Sequence, residues 1–295
     1  MTLSQESAPN FTIRAMSRDE LDLAVAWAAA EGWNPGLHDA DCFYAADEGA
    51  FLVGLLDGEP IASISVVKYE EGFGFLGFYI VRPAFRGRGY GREMWQAGLA
   101  RLDGRNIGLD GVLEQQENYL KSGFKLAHRN IRYEGVKESE ANSKKLEEIV
   151  DGEIVELASV PFEVVRAYDK EIFLYEREAF LREWVRSPHH RALGMMKDGQ
   201  LVGYGVLRPC QRGDKIGPLF ADSEAVAEGL FLALTAYVEV GSCFYLDVVG
   251  VNEAAVALAR KYGMRSVFET ARMYMQQAPD LPLNRIFGIT TFELG

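Results

Sequence analysis

Four arginines, Arg82, Arg86, Arg88 and Arg92, and three glycines at alternate positions, Gly87, Gly89 and Gly91, stand within the eleven residues 82–92. Glycines at that spacing let the backbone turn tightly and come close to a ligand, and arginine offers planar, paired N–H donors to phosphate. An apolar strand, Phe75 to Val81, leads into the loop, and Pro83 closes it because proline cannot donate to a sheet ladder. A helix from about Gly91 follows, so its unpaired first N–H groups point back at the loop. Strand, glycine turn and helix N-terminus together make an anion cradle, and a phosphate belongs in it.

Spacing decides which phosphate carrier fits. A Walker loop needs Lys and then Ser or Thr after its last glycine, where this chain has Arg92 and Glu93. The dinucleotide fingerprint GxGxxG fails too, because Arg92 occupies the place of its third glycine. Residues Arg86 to Gly91 resemble the (Gln/Arg)xxGx(Gly/Ala) loop of the GNAT superfamily of N-acetyltransferases. The resemblance implies that Arg86, Gly87, Arg88, Gly89, Tyr90, Gly91 and Arg92 hold the pyrophosphate of acetyl-coenzyme A, with Tyr79, Ile80 and Val81 beside the same cosubstrate. Taken by itself, the loop also reads as a glycine-rich turn with solvated arginines.

A second segment, NYLKSGF from Asn118 to Phe124, looks like the TyrGluLysxGlyPhe element of the same family, with Tyr119 four residues before Gly123. By that resemblance Tyr119 protonates the departing thiolate; by residue type alone it is a helix tyrosine with its ring in the core. The implied chemistry is direct attack of a neutral amine on the thioester carbonyl, with the oxyanion held by a main-chain N–H at Ile80 or Val81. Many family members carry a glutamate on the fourth strand as base, but Phe75 to Val81 holds no carboxylate. Glu70, Glu71, Asp110 and a water chain remain as alternatives.

Length and composition suit a two-domain soluble enzyme: 295 residues, 48% of them apolar, can build two cores of ordinary size. A net charge of −12 argues against a nucleic-acid partner, which requires a basic face, while the local arginine cluster suits a small polyphosphate. The opening MTLSQESAPN has neither a basic start nor an apolar run, and the apolar runs near Leu21 to Ala30 and Leu230 to Val238 are too short and too polar to span a bilayer. No signal peptide, no membrane partner and a cytoplasmic location are the expectations. Cys42, Cys210 and Cys243 show no CxxC spacing and read as core residues, and His38, His128, His189 and His190 show no spacing for a metal, so no metal is expected.

The elements that must position these groups follow from periodicity and turn chemistry. Strands are expected at Phe11 to Arg14, Phe51 to Leu56, Ile61 to Val67, Phe75 to Val81, Asn106 to Asp110 and Lys125 to Tyr133, with helices at Asp19 to Gly32, Met94 to Leu102 and Glu114 to Lys121. This is the order of an acetyltransferase fold. Residues 135–152 turn polar and read as a linker with a helical turn or two around Lys144 to Val150, and a strand restarts at Glu153 to Ala158.

The second half repeats landmarks of the first: 141 residues separate the turn at Asp57 from that at Asp198, and 140 separate Gly123 from Gly263. The expected fold class is therefore α/β (α+β): two tandem acetyltransferase-like domains, each a mixed, mostly antiparallel twisted sheet flanked by helices. Residues 1–134 form the catalytic domain and 153–295 a degenerate copy. At the shared offset Ala259 replaces Tyr119 and VAEGLF, Val226 to Phe231, has no glycine cradle. Asp222 or Ser223 is expected to cap a helix after a tight bend at Gly217 and Pro218. The degenerate half is read as shaping the acceptor pocket or a homodimer. The acceptor is expected to be a primary amine of a small molecule or peptide, facing WNPGLHDADCFY, Trp33 to Tyr44, whose rings together with Asp39 and Asp41 would suit a cation; the same residues read equally well as core aromatics and helix-capping acids. The alternative to an enzyme is a non-catalytic acetyl-coenzyme A sensor.

Overall fold

The structure, a computed structural model, describes residues 10–139 and 152–295. The helical turn expected around Lys144 to Val150 lies outside the described residues. In the first half β1 (Phe11–Ala15), α1 (Arg18–Ala30) and α2 (Asp39–Ala46) precede the meander β2 (Phe51–Leu56), β3 (Glu59–Tyr69) and β4 (Phe73–Val81). Then come α3 (Tyr90–Arg101), β5 (Asn106–Val112), α4 (Gln116–Lys121) and β6 (Lys125–Val136). The second half repeats this order with β7 (Glu153–Glu156), α5 (Phe162–Phe173), α6 (Glu178–Arg186), β8 (Arg191–Lys197), β9 (Gln200–Pro209), β10 (Asp214–Ala221), α7 (Glu224–Thr235), β11 (Cys243–Val249), α8 (Glu253–Lys261) and β12 (Arg265–Tyr274). A short β13 (Ile286–Gly288) ends it.

Local chemistry accounts for the elements. Ser17 caps α1 by accepting from Glu20 N while the Glu20 carboxylate accepts from Ser17 N, a reciprocal box that stabilises a helix start by about 1 kcal/mol. The buried face of α1 is Leu21, Ala24, Val25 and Ala28, the spacing of one helix stripe. The turns at Asp57–Gly58 and Asp198–Gly199 both have two residues of positive φ, the hairpin geometry that Asp-Gly favours. Ser223 caps α7 by accepting from Val226 N.

The described strands form one sheet in the order β1-β2-β3-β4-β5-β12-β6-β11-β10-β9-β8-β7. Its pairs are antiparallel except β4 with β5 and β10 with β11. The halves exchange their last strands: β12 lies against β5, and β6 runs along β11 from Asn130 to Val136. The boundary expected after residue 134 therefore falls inside β6. Buried ion pairs fasten the exchange. Arg272 of β12 donates to both oxygens of Asp110 on β5, at 2.9 and 2.6 Å, and Arg132 of β6 does the same to Asp247 of β11, at 2.6 and 2.7 Å.

Helices cover both faces. On one face α1 and α2 meet α5 and α6, with Phe43 stacked on Trp184 at 6.1 Å, so this core belongs to both halves. On the other, α3 and α4 cover the first half and α7 and α8 the second. Cys42 and Cys210 are buried and Cys243 partly so, and burial pushes the Cys42 thiol up to about 12.

His189 and His190 point apart. His189 stacks on His38 at 3.6 Å between ring centroids, whereas His190 turns inward against Trp184, its Nδ1 2.9 Å from the Trp184 carbonyl. Burial lowers the His190 pKa from 6.5 to about 4. The unfolded chain then binds a proton that the folded chain refuses, so the contribution of His190 is full above pH 6.5 and is lost as the pH falls toward 4. Thermal melts should show stability declining across that window, and His190→Asn should flatten this part of the decline.

Candidate active site

The site is made by an irregularity in β4. Between the pairs Gly77–Ser65 and Ile80–Ser63, β4 takes three steps where β3 takes two. This is a β-bulge, and Phe78 adopts φ 43°, the left-handed region that a phenylalanine rarely occupies. Ser63 Oγ donates to the Phe78 carbonyl at 2.8 Å and holds the strained turn. The bulge also exchanges the faces of the strand. Phe73 and Phe75 before it and Phe78 and Ile80 after it enter the same core, while Leu76, Tyr79 and Val81 face α3. Parallel pairing with β5 ends at Leu76–Leu109, so the two strands part beyond the bulge with their main-chain groups unpaired toward each other.

The gap so opened is a cleft of about 690 Å³, within the size range of small-molecule sites. Of the residues singled out by sequence, Tyr79, Ile80, Val81, Arg86, Gly87, Gly91 and Tyr119 line it. Arg88, Gly89, Tyr90 and Arg92 do not line it, although they share the same loop and helix start, and the Tyr90 ring packs on Phe11 at 4.8 Å. Gly87 and Gly89 have φ of 77° and 94°, and a Cβ on either would meet no atom within 4 Å, so their surroundings are open to a ligand. Gly89 is the N-cap of α3. Gly91 is closed instead: a Cβ there would lie 2.9 Å from Tyr79 Oη, whose hydroxyl donates to the Gly91 carbonyl at 2.7 Å. Tyr79 thus ties the strand to the helix start. A loop with two left-handed glycines, at the N-terminus of a 12-residue helix, fits a pyrophosphate.

The arginines divide. Arg82 binds Glu59 and the Pro60 carbonyl, and Arg86 binds Glu31 and donates to the Val81 carbonyl at 2.8 Å. The four-arginine patch expected from sequence is therefore half neutralised by carboxylates from distant elements. Arg88 lies 5.7 Å from the centre of the Phe85 ring, and Arg88 and Arg92 have no carboxylate partner among the described residues.

Tyr119, on α4, enters the cleft from the β5 side. It is 8% exposed, and its ring packs on Trp95 at 5.6 Å. The ring also fills the space beside Gly111, where a Cβ would come within 2.3 Å of it. Burial raises the phenol pKa above its usual value, so the hydroxyl keeps its proton at neutral pH. A protonated phenol and a bulged main chain thus line one cavity, a combination able to offer a proton and main-chain N–H groups to a bound molecule.

The carboxylates considered as bases lie elsewhere or are occupied. Glu70 sits in the β3–β4 turn, accepting from Lys170 Nζ and Glu176 N at 3.1 Å each, and neither it nor Glu71 lines the cleft. Asp110 does line it, but both its oxygens are held by Arg272, and Asn130 donates to one of them at 2.8 Å. The expected acidic acceptor wall is not formed by Asp39 and Asp41. Asp39 is buried 3.0 Å from Arg208 Nε and accepts from Gly36 N, and Asp41 pairs with Arg18 on the surface.

Residues that sequence reasoning missed complete the cleft. Thr270 and Phe268 arrive on the exchanged strand β12, and Phe292 and Glu293 arrive in the segment after β13. That segment crosses between the halves. Ile289 N donates to the Asp247 carbonyl at 2.9 Å, and Tyr69 Oη donates to the Leu294 carbonyl at 2.8 Å. Among the described residues, the same segment occupies the corresponding opening of the second half. Its parallel strands β10 and β11 part after Ile216–Leu246, but β13 pairs with β10 in the opening.

Known proteins agree with this geometry. Residues 15–124 match the acetyltransferase (GNAT) family and residues 165–288 match an acetyltransferase (GNAT) domain. The chain is 30% identical over 285 residues to the holothin acyltransferase of Pseudoalteromonas sp. (strain SANK 73390), covering 97% of this chain and 95% of that one. A candidate acetyltransferase of Pyrococcus horikoshii shares the fold with a TM-score of 0.81 at 23% identity, over 100% of this chain and 99% of that one. A tandem GNAT protein from the clavulanic acid biosynthesis pathway superposes with a TM-score of 0.61 at 16% identity, over 92% of this chain and 100% of that one. Family models that match each half separately, and a relative of 30% identity that spans almost the whole chain, give the assignment: the chain belongs to the GNAT acetyltransferase family, as a tandem member of it.

Proposed function

We propose that the protein transfers the acetyl group of acetyl-coenzyme A to a primary amine of a small molecule or peptide, by direct attack, in the cleft of the first half. The observation that carries this reading is the meeting of Tyr119, the β4 bulge and the glycine cradle in one cavity. The amides of Gly87 to Arg92 would hold the pyrophosphate, Arg88 and Arg92 add charge, and main-chain N–H groups at Ile80 or Val81 receive the oxyanion. Tyr119 donates its proton to the leaving thiolate. The relative's name, holothin acyltransferase, supports an acyl transferase reading over a sensor without turnover.

The test is release of free thiol from acetyl-coenzyme A in the presence of a panel of primary amines, with Gly89→Asp as control. An aspartate at φ 94° strains the cap and puts a negative charge where the pyrophosphate would sit. Turnover in the wild type and loss of cosubstrate binding in Gly89→Asp, by at least about 100-fold in Kd, about 2.7 kcal/mol, is the expected result. Unchanged affinity would place the cosubstrate elsewhere.

A further inference from the structure

We propose that Glu293, delivered from the far end of the second half, is the general base of the first-half site. The inference rests on the acyl-transfer reading above. Glu293 lines the cleft together with Tyr119 and the bulge. Its backbone lies against the apex of the gap, since a Cβ on Gly77 would come within 2.3 Å of the Glu293 carbonyl oxygen. Gly77 immediately follows the last β4–β5 pair and immediately precedes the strained Phe78. The main chain at residue 77 can only be glycine because the Glu293 backbone occupies that space.

Glu293 differs from the other acidic residues that line the cleft. Asp110 is held by Arg272, Glu31 by Arg86, and Glu114 is exposed at the rim. Glu293 is 5% exposed, and no hydrogen bond or ion pair engages its carboxylate among the described residues. The charged groups around it come from four elements: Lys215 on β10, Arg208 on β9, Arg132 on β6 and Asp39 on α2. Each cation is already committed. Arg132 is paired with Asp247, Arg208 with Asp39, and Lys215 Nζ donates to the Asn34 carbonyl at 2.8 Å. Burial pushes the Glu293 carboxyl above the usual glutamate value, the direction that makes a better base.

Glu293 takes one proton from the acceptor ammonium, and the freed nitrogen lone pair forms the C–N bond. The C–S bond breaks with its electron pair on sulfur, which takes the Tyr119 proton. The second nitrogen proton restores the phenol through solvent, Glu293 returns its proton to solvent, and one proton is released per amide formed.

The experiment follows thiol release from acetyl-coenzyme A across pH, with water alone and with phenethylamine as acceptors, for wild type, Glu293→Gln, Glu293→Asp and Tyr119→Phe. Calorimetry with coenzyme A runs alongside as a check on the fold. Glu293→Gln should release thiol roughly 100-fold more slowly than wild type. It should also lose the acidic limb of the pH profile and bind coenzyme A as before, while Glu293→Asp retains the limb at reduced rate. Wild-type rate and limb in Glu293→Gln overturn the proposal, as does loss of coenzyme A binding, which would make the residue structural. If Tyr119→Phe slows release and Glu293→Gln does not, only the base assignment falls; if neither slows it, the acyl-transfer reading falls and takes the base with it.

Discussion

Tyr119→Phe is expected to lower kcat by roughly 10² to 10⁴ while leaving the Kd for acetyl-coenzyme A within about twofold. The substitution keeps the ring that packs on Trp95 and beside Gly111 and removes only the hydroxyl. Binding should survive because the cradle, at Gly87 to Arg92, begins on the other side of the cleft and is tied to β4 through Tyr79. A thiolate leaving into a partly apolar cavity without a proton is a poor leaving group, so the loss should appear in the chemical step. Single-turnover kinetics with preloaded acetyl-coenzyme A would isolate that step. An undiminished rate constant would mean that Tyr119 is a packing residue and that sulfur is protonated by solvent.

Arg132→Met is expected to destabilise the fold by about 3–5 kcal/mol, read from chemical denaturation. Arg132 donates to both oxygens of Asp247, and to the Trp33 carbonyl at 2.6 Å, and its guanidinium lies 4.8 Å from the Phe292 ring centre. Removing it leaves a buried carboxylate whose remaining cation, Lys215, is 3.9 Å away. The pair also joins the exchanged strand β6 to β11, so the loss falls on the seam between the halves. The double variant Arg132→Met with Asp247→Asn should recover part of the stability, because it removes the unpaired carboxylate charge while Lys215 keeps its bond to the Asn34 carbonyl. A loss below about 1 kcal/mol in the single variant would show that Asp247 is neutralised in another way.

What could be read from the sequence was local. The cradle was legible because its glycines meet a purely local demand, positive φ at Gly87 and Gly89 next to a helix start, and most strands were legible from alternation and from Asp-Gly turns. What escaped depends on partners far along the chain. The arginine cluster gave no sign that Glu59 and Glu31 would neutralise Arg82 and Arg86, since those partners lie 23 and 55 residues away. Asp39, read as facing a cationic acceptor or capping a helix, is buried against Arg208 of the other half. Strand exchange left no mark because β6 and β12 end equivalent halves and satisfy the same edges, so their local patterns do not differ. The bulge was hidden for a similar reason. Phe78 is an ordinary strand residue by type, and only its pairing with β3 reveals the extra step. The crossing of the closing segment from one half to the other, which brings Phe292 and Glu293 into the cleft, is a tertiary fact that no local pattern marks.

By this proposal one half binds the acyl donor and the other, with β13 paired in its gap, does not. Calorimetric titration of acetyl-coenzyme A into the full chain tests it most directly. One site per chain, absent in Gly89→Asp, is the predicted result; two sites per chain, or one that survives Gly89→Asp, would contradict it.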